Sequence, residues 1–333
     1  MANQAKLGVC VAGLRMGFAH ARAYDAMEDV DLYLCDIDAD QLSRTRDRLK
    51  NVKGTFSSLS EVWGSSLVAA VDTALPHNLH RDMALEAAKH GKHFMTEKPM
   101  ARTLAEAGEM IDAHGKVGTV FMVGENQRFM PVLHKAREII DGGFLGKIFL
   151  VRVYEMWNAR LGGWRMSKEI AGGGNLIDSG IHAVDSLRLL GGAVKTVYAR
   201  TMGEAIAELE GEDTAHVSMS FESGAAGDLI TSWAVRQSGP QPRFSAYGTE
   251  GSLWVMMDDP DSVYFDSTRL PEGSGAVRVS VPKTDTFEAE CRHFVDCILQ
   301  GKEPIMSGEE GRKDLEVVLA AYKSAETGLP VEL

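Results

Sequence analysis

Short apolar runs alternate with amphipathic stretches over the first 125 residues of the chain. The apolar runs have the length and composition of strands, and they lie at residues 7–12, 31–35, 67–71, 93–95 and 117–123. Apolar residues recur at helical spacing between them, over residues 16–26, 39–49, 78–90 and 103–114. Continuous apolar strands separated by helices are typical of a parallel sheet that is covered on both faces. The pattern therefore predicts a doubly wound α/β domain over residues 1–125.

The pattern changes after residue 125. Helices are predicted at 131–141 and 175–190, and two further helices close the chain at 287–299 and 309–327. Strand-like runs in which apolar and polar residues alternate occur at residues 148–157, 195–201, 214–222, 226–235, 243–247, 253–257 and 262–265. Alternation with short connections favours an antiparallel sheet. Residues 126–333 are therefore predicted to form an α+β domain with an open, mainly antiparallel sheet.

Composition and charge exclude several classes of protein. The 333 residues include 35 basic and 47 acidic side chains, so the formal net charge is −12. A surface of this charge repels phosphate backbones, and we expect no nucleic-acid partner. No apolar run approaches the roughly 20 residues needed to cross a bilayer, and the start of the chain is not that of a signal peptide. We therefore expect a cytoplasmic protein without a membrane partner.

The four cysteines predict neither a metal site nor a disulfide. Cys10 and Cys35 lie inside predicted strands, whereas Cys291 and Cys297 lie six residues apart on a predicted helix. That spacing places the last two on different helical faces, so a zinc site or a thiol redox pair is not supported. We expect all four to be buried thiols in a reduced environment, and we expect no metal.

The first predicted strand leads into a glycine turn and then into a helix. The turn consists of Gly13, Leu14, Arg15, Met16 and Gly17. Glycines at such a turn permit a tight bend and let a pyrophosphate approach the backbone N–H groups at the helix start. The loop is one residue shorter than the usual G-x-G-x-x-G, and alone it would equally describe an ordinary strand-to-helix turn.

Asp36 favours a dinucleotide site over an ordinary turn, because it follows the second strand, nineteen residues beyond Gly17. An acid about 20 residues beyond the glycines commonly meets the ribose hydroxyls of the adenosine. The order of strand, turn, helix, strand and acid therefore predicts a dinucleotide site. A carboxylate here would repel a 2′-phosphate, which favours NAD. Arg15 could still reach a phosphate, so NADP remains possible.

Four segments further along the chain carry a more specific signal. They are LPHNLH at residues 75–80, GKHFMTEKP at 91–99, GENQRFMP at 124–131 and GGGNLIDSGIHAVD at 172–185. In order and spacing they resemble the glucose–fructose oxidoreductase / inositol dehydrogenase (Gfo/Idh/MocA) family, and the resemblance covers nearly the whole chain. It implies a Rossmann domain and an α/β domain whose open sheet commonly serves in oligomerisation. It also implies NAD(P)-dependent chemistry at a CH–OH group of a sugar, cyclitol or related molecule.

The resemblance also implies which residues meet the cofactor and the substrate. Further cofactor contacts are expected at Leu75, Pro76, His77, His80, Glu97 and Lys98. Leu75 and His77 replace the Thr and Asn that are usual in the family, so these contacts would come from the backbone or from His77 itself. Substrate contacts are expected at Asn126, Gln127, Arg128, Trp157, Asn158, Arg160, Trp164, Arg165, Asp178 and His182. The tryptophans suit the apolar faces of a pyranose or cyclitol but would equally suit a loop packed on the core, and Arg160 and Arg165 could instead meet a carboxylate or phosphate.

Oxidation of a secondary alcohol requires removal of the hydroxyl proton as hydride leaves for the nicotinamide. His182 suits the role of base, and Lys98, which directly follows a predicted strand, suits stabilisation of the alkoxide. Asp178 lies four residues before His182, on the same helical face, and is expected to orient His182 or a substrate hydroxyl. Such an acid–histidine pair can also be structural; Gly172–Gly174 favour the catalytic interpretation, since glycines would let a ligand approach the helix. Asp185 is expected to be structural.

The leading hypothesis is an NAD(P)-dependent dehydrogenase of a sugar or cyclitol. The same residues would serve a carbonyl reductase that works in the reverse direction, or a glycosidase that retains its NAD. A sensor without turnover is disfavoured, because it would not require Lys98, Asp178 and His182. An exposed sheet face would favour a homodimer or homotetramer.

Overall fold

The computed structural model describes residues 6–236 and 239–333 of the chain. The chain divides into two compact units, which are described separately below. The first unit consists of Met1–Asn126 and Asp285–Arg312, and the second consists of Gln127–Thr284 and Lys313–Leu333. The predicted domain boundary between residues 125 and 126 stays a prediction. The compact units depart from it in that Asp285–Arg312 returns to the first unit.

A six-stranded parallel sheet forms the centre of the first unit. Its strands are β1 (Leu7–Ala12), β2 (Val30–Cys35), β3 (Val52–Phe56), β4 (Ala70–Thr73), β5 (His93–Glu97) and β6 (Phe121–Gly124). They follow the order β3-β2-β1-β4-β5-β6. Every residue of β1 and β4 is buried, as a sheet covered on both faces requires. The predicted doubly wound fold is confirmed. Its strand order reverses beside β1, and ligands of such sheets bind at the carboxyl ends of the strands at that point.

Helices connect these strands. They are α1 (Phe18–Asp25), α2 (Ala39–Asp47), α3 (Leu59–Gly64), α4 (His80–Lys89) and α5 (Leu104–Val117). The strand predicted at 117–123 begins only at Phe121, because α5 continues to Val117 and ends on Gly118, whose φ of 71° suits a left-handed helix end. Strand β3 was not predicted from the sequence; it contains a charged residue and a glycine and is only partly buried.

The second unit is built on a nine-stranded sheet. Its elements up to residue 280 are α6 (Pro131–Asp141), β7 (Ile148–Met156), α7 (Lys168–Ala171), α8 (Ile181–Gly191), β8 (Val194–Met202), β9 (Thr214–Phe221), β10 (Ala226–Ser232), β11 (Pro242–Gly248), β12 (Gly251–Met256), β13 (Asp259–Ser267) and β14 (Val277–Ser280). A π-helical turn, Leu176–Gly180, leads directly into α8. The sequence predicted one continuous helix here.

The last segments of the chain are divided between the two units. Helix α9 (Thr286–Gln300) packs against α1 in the first unit. Helix α10 (Gly308–Thr327) and β15 (Val331–Glu332) follow, and β15 joins the edge of the nine-stranded sheet beside β8. No helix in the described part of the chain is long and apolar enough to cross a membrane.

The nine-stranded sheet has the order β14-β13-β12-β11-β7-β10-β9-β8-β15. Its neighbouring strands pair antiparallel, except that β10 pairs parallel with β7. Along β9, buried Ala215, Val217 and Met219 alternate with exposed His216 and Ser218, so one face is covered and the other is open. The predicted open, mainly antiparallel sheet is confirmed.

Candidate active site

The glycine turn after β1 is shaped by close backbone packing. Gly13 has a φ of 85°, and a Cβ atom there would lie 2.5 Å from the carbonyl oxygen of Ala74. A Cβ atom on Gly17 would lie 2.6 Å from the Gly13 carbonyl oxygen and 3.0 Å from the Val11 side chain. Both positions therefore require glycine, the first for backbone conformation and the second for contact between α1 and β1.

Asp36 holds this turn in place. Its Oδ2 accepts a hydrogen bond from the Leu14 N–H at 2.7 Å, and its Oδ1 accepts one from the Asp38 N–H at 2.9 Å. The Leu14 side chain is fully buried, whereas Arg15 and Met16 are exposed. The Leu14 side chain is therefore unavailable to a ligand, and its N–H and carbonyl groups bond to Asp36 and Gln41. The predicted contact between Asp36 and a ribose stays a prediction, and the structure adds its link to the turn.

The segments at 75–80 and 97–99 are tied together by His80. Its buried ring contacts the Pro99 carbonyl oxygen through Nδ1 at 2.8 Å and the Leu75 carbonyl oxygen through Nε2 at 2.9 Å. The ring of His77 lies 5.5 Å from that of His80. Through this bridge, the predicted cofactor residues at 75–80 lie beside those at 97–98, at one edge of the sheet.

Lys98 stands at the carboxyl end of β5 and precedes Pro99 across a cis peptide bond. Its N–H donates to the Gly124 carbonyl oxygen and to Glu97 Oε2, both at 3.2 Å. The position directly after a strand is the one predicted from the sequence. Glu97 supports the Lys98 backbone.

A buried polar cluster of the first unit was missed by the sequence analysis. His20 on α1 is fully buried, and its Nδ1 lies 2.8 Å from Asp72 Oδ2. Its Nε2 lies 3.2 Å from Glu97 Oε1 and 3.7 Å from Glu290 Oε1. The one sequence signal for this cluster is Asp72, a charged residue within the short apolar strand β4. The cluster links Glu97, and hence the Lys98 backbone, to the core.

Burial and charge set the protonation of this cluster. Burial disfavours the charged imidazole, but the charge of Asp72, the nearby Cys291 and the hydrogen bonds to Asp72 and Glu97 together outweigh it, so the pKa of His20 lies well above its usual value. Burial raises the pKa of Glu290 well above its usual value; the charge of His20 opposes this, and the neighbouring carboxylates of Glu97 and Asp72 add to the rise. Neither carboxyl oxygen of Glu290 has a hydrogen-bond partner. We infer an imidazolium at His20 and a neutral carboxyl at Glu290 at neutral pH.

The same cluster brings possible metal ligands together. A nitrogen of His20, a carboxylate oxygen of Asp72 and the thiol of Cys291 lie within 4.8 Å of one another. Burial raises the pKa of the Cys291 thiol well above its usual value, which opposes the thiolate that a metal would need. The spacing of His20 and Asp72 is that of a hydrogen bond. The expectation that the chain holds no metal stays a prediction, and all four cysteines are buried free thiols as expected.

In the second unit the predicted acid and histidine lie on one continuous helical segment. Asp178 belongs to the π-helical turn and is almost fully buried, and His182 lies in the first turn of α8 and is half-buried. The Asp178 carboxylate accepts a hydrogen bond from Arg165 Nε at 2.7 Å. π-Helical turns often occur at functional sites.

Arg165 therefore pairs with the predicted catalytic acid. Its guanidinium also lies over the Trp164 ring, 4.5 Å from the ring centroid. The two residues form part of a short 3₁₀ turn, Gly163–Met166. Trp157 and Arg160, which precede this turn, are exposed. Asn158 is also exposed and pairs with Ala234 through an isolated backbone bridge.

The predicted substrate residues at 126–128 are all engaged in contacts within their own units. Asn126 Nδ2 donates to Thr286 Oγ1 at 2.8 Å in the first unit. In the second, Gln127 Oε1 accepts from Arg243 at 2.9 Å and its Nε2 donates to Glu155 at 3.2 Å. The substrate roles of these residues stay predictions.

Arg128 is buried and its guanidinium meets the Asp185 carboxylate, with Nε 2.9 and 3.0 Å from the two oxygens. Asp185 is fully buried. This pair ties the start of the second unit to α8, in line with the structural role expected for Asp185.

The glycines at 173 and 174 have a role that was not predicted from the sequence. A Cβ atom on Gly173 would overlap the Tyr322 hydroxyl, and one on Gly174 would overlap the backbone of Glu212. They were expected to admit a cofactor or substrate. In the structure they admit two residues of the same unit.

Both parts of the chain match a family of known proteins. Residues 7–125 match the family described as "Oxidoreductase family, NAD-binding Rossmann fold", and residues 137–333 match its "C-terminal alpha/beta domain". A myo-inositol 2-dehydrogenase of Thermotoga maritima is 28% identical over 336 residues, which cover 98% of this chain and 98% of that protein. A scyllo-inositol 2-dehydrogenase (NAD(+)) of Bacillus subtilis is 31% identical over 276 residues, covering 80% of this chain and 78% of that protein. The solved structure of an aldose–aldose oxidoreductase of Caulobacter crescentus complexed with glycerol shares 27% identity, with a TM-score of 0.86 over 98% of this chain and 100% of that one.

The fold and these matches define an oxidoreductase with an NAD-binding Rossmann unit. The chain belongs to the Gfo/Idh/MocA oxidoreductase family. The family, the fold class and NAD as the cofactor are thereby confirmed as predicted. The named relatives support an oxidoreductase that acts on a CH–OH group.

The protonation of Glu290 gives a testable dependence of stability on pH. When Glu290 is neutral in the folded state, unfolding at a pH above its usual pKa of 4.5 releases a proton. The raised pKa therefore lowers the free energy of unfolding as the pH rises. We expect Glu290→Gln to flatten the fall in the free energy of unfolding between about pH 5 and 6.5, by up to about 1.4 kcal/mol per pH unit. Urea unfolding at several pH values measures this slope.

Glu288→Gln is the matched control, because Glu288 is exposed on the same helix. It should leave the slope unchanged. An unchanged slope in Glu290→Gln as well would mean that Glu290 is ionised in the folded protein.

Proposed function

We propose that this protein is an NAD(P)-dependent dehydrogenase that transfers a hydride between the nicotinamide and a secondary hydroxyl of a sugar, cyclitol or sugar derivative. The observation that carries the proposal is a pair of features in one chain. Lys98 stands at the carboxyl edge of an NAD-binding sheet, and Asp178, which is buried, and His182, which is half-buried, share one helical segment. The family and its inositol dehydrogenase members support this substrate class.

The first unit offers a suitable cradle for the dinucleotide. Gly13 and Gly17 keep side chains away from the turn, and no described side chain caps the first turn of α1. The N–H groups at such a helix start favour a pyrophosphate. Asp36 has about four acceptor sites on its carboxylate, of which Leu14 and Asp38 use two, so further sites serve the ribose hydroxyls. Its charge favours NAD, while exposed Arg15 leaves NADP possible.

We assign three roles to the chain's own residues. NAD, when bound, supplies the hydride acceptor at its nicotinamide ring. His182 takes the hydroxyl proton, Lys98 stabilises the negative charge that develops on the oxygen, and Asp178 orients His182 or the substrate hydroxyl. The C–O bond becomes a carbonyl as the hydride leaves the carbon. The reverse reaction, a carbonyl reduction, uses the same groups.

We further propose that the open face of the nine-stranded sheet binds a second copy of the chain. Tyr198 and Met202 of β8 are 42% and 46% exposed on that face. Trp254 and Tyr264 stack on neighbouring strands, with ring centroids 6.0 Å apart. Apolar surface of this kind on a sheet is usually covered in an assembly.

The oligomer is tested by light scattering coupled to gel filtration. We expect a mass of two or four times the 36.2 kDa of the chain. Charged substitutions on the open face, such as Trp254→Lys, should reduce it to one chain. A single-chain mass for the unmodified protein would contradict this part of the proposal.

The reaction is tested by NADH formation with a panel of inositols, aldoses, anhydrosugars and sugar acids, with NAD and NADP in separate assays. We expect turnover with at least one polyol and a preference for NAD. The reverse assay, NADH oxidation with the corresponding ketones, covers the reductase direction. If the protein binds NAD but shows no turnover in either direction, the proposed reaction is contradicted.

His182→Asn tests the base. The asparagine keeps a polar group of similar reach but accepts no proton, so we expect kcat to fall by roughly 10²–10⁴-fold, while the Kd for NADH stays near that of the unmodified protein. NADH fluorescence measures the second quantity. His90→Asn, at an exposed histidine of α4's end, controls for the change in residue type. Turnover at the original rate in His182→Asn would remove His182 from the mechanism.

A further inference from the structure

The start of the helical segment that carries Asp178 has an unusual set of partners. A helix start leaves about four backbone N–H groups without partners in the helix itself. At this start they belong to Gly174, Asn175, Leu176 and Ile177. Glu212 and Tyr322, which lie far away in the sequence, supply acceptors for all four.

Glu212 supplies three of the acceptors. Its carboxylate accepts from the Leu176 N–H through Oε1 at 2.7 Å and from the Gly174 N–H through Oε2 at 3.1 Å. Its backbone carbonyl oxygen accepts from the Asn175 N–H at 2.7 Å. The side chain is 9% exposed. A carboxylate is an acceptor at every position, and negative charge is favoured at a helix start, so the residue type matches the site.

Tyr322 completes the set. Its hydroxyl oxygen accepts from the Ile177 N–H at 3.2 Å, and it lies 3.3 Å from the Gly174 nitrogen. The hydroxyl hydrogen is donated to Glu212 Oε1 at 2.8 Å. We call Glu212 and Tyr322 together the turn clamp.

Glycines make the turn clamp possible. Gly173 lies against the Tyr322 hydroxyl and Gly174 against the backbone of Glu212, where any side chain would overlap its neighbour. Gly211, which precedes Glu212, has the same constraint, since its Cβ atom would lie 2.5 Å from the Gly174 Cα. All three glycines are therefore needed for the contact between the helix start and the turn clamp.

The turn clamp acts on a segment with a choice of conformation. Leu176–Gly180 is π-helical, and π-helices close their hydrogen bonds one residue further along than α-helices. Relaxation to an α-helix would therefore change the register by one residue, which corresponds to about 100° around the helix axis. Asp178 lies inside this segment and would turn away from its present partner, Arg165.

We propose that Glu212 and Tyr322 are positioning residues for the reaction. They fix the N–H groups of residues 174–177, hold the turn in its π-helical register, and so set the directions of Asp178 and of His182 beyond it. The inference rests on the proposed function, because the roles of Asp178 and His182 are assigned there. It adds two residues that act through Asp178 and His182.

The test uses two variants of different severity. Glu212→Gln keeps the volume but places an NH₂ group among N–H and O–H donors, and we expect kcat to fall about 10²-fold. Tyr322→Phe leaves the carboxylate contacts in place, and we expect a fall of about tenfold. The KM for NAD should be unchanged in both, because the first unit is untouched. Amide hydrogen exchange at residues 174–177 should be faster in both.

Ser324→Ala is the matched control. Ser324 is fully buried on the same helix as Tyr322 and accepts a hydrogen bond from the Ala199 N–H at 3.0 Å. We expect this variant to lower the melting temperature while kcat per folded molecule stays unchanged. Stability loss and positioning are thereby separated, and Tyr322→Phe keeps the test open should Glu212→Gln fail to fold.

Two results would overturn the inference in different ways. A stable Glu212→Gln or Tyr322→Phe protein with unchanged kcat, or with unchanged exchange at residues 174–177, would contradict the positioning role alone. Absence of turnover in the unmodified protein would contradict the proposed function itself, and the positioning role with it.

Discussion

Backbone N–H groups at helix starts need acceptors, and this requirement explains where the functional glycines of the chain stand. After β1, Gly13 and Gly17 pack the turn against neighbouring backbone and leave the start of α1 without a side-chain cap, which suits an anionic ligand. Before α8, the chain uses glycines in the opposite way. Gly173 and Gly174 make room for an internal carboxylate and a hydroxyl that occupy the corresponding N–H groups. Such N–H groups therefore lack a described side-chain acceptor at the helix start in one unit and have internal acceptors at the helix start in the other.

A second constraint is the burial of ionisable groups in the first unit. His20, Asp72 and Glu290 have no solvent exposure, and Glu97 has little. A core of this kind is tolerated when its charges are paired and the excess carboxyl is neutral. The His20 imidazolium meets that condition between Asp72 and Glu97. Glu97 also accepts the Lys98 N–H. The buried cluster therefore helps to hold Lys98 at the edge of the sheet.

Local sequence patterns predicted most of the elements, and the motifs predicted the family. Apolar runs gave the strands of the first unit apart from β3, and alternation gave β7 to β13 of the second unit but not β14 and β15, because each pattern reflects burial on two faces or on one. The strand β3 was not predicted because a lysine and a glycine interrupt its five residues, VKGTF, and none of them is fully buried. The π-helical turn escaped because its residues have ordinary helical spacing, and the support for it comes from Glu212 and Tyr322, which stand 36 and 145 positions beyond residues they bind. Contacts at that separation are properties of the fold, and no local pattern in one sequence records them.

The pairing of Arg165 with Asp178 shows the same limit and has a consequence for specificity. The sequence suggested Arg165 for the substrate and Asp178 for catalysis, as separate assignments. In the structure one hydrogen bond joins them, and Trp164 covers the guanidinium. Asp178 is therefore held from two sides, through its backbone by the turn at 174–177 and through its carboxylate by the loop at 163–166. Arg165 Nε takes one of the roughly four acceptor sites of this carboxylate. Since the loop supplies both a cation and an aromatic ring beside the acid, changes in its sequence would alter the orientation of Asp178 and, on the proposed assignment of Trp164 and Arg165 to the substrate, substrate choice with it.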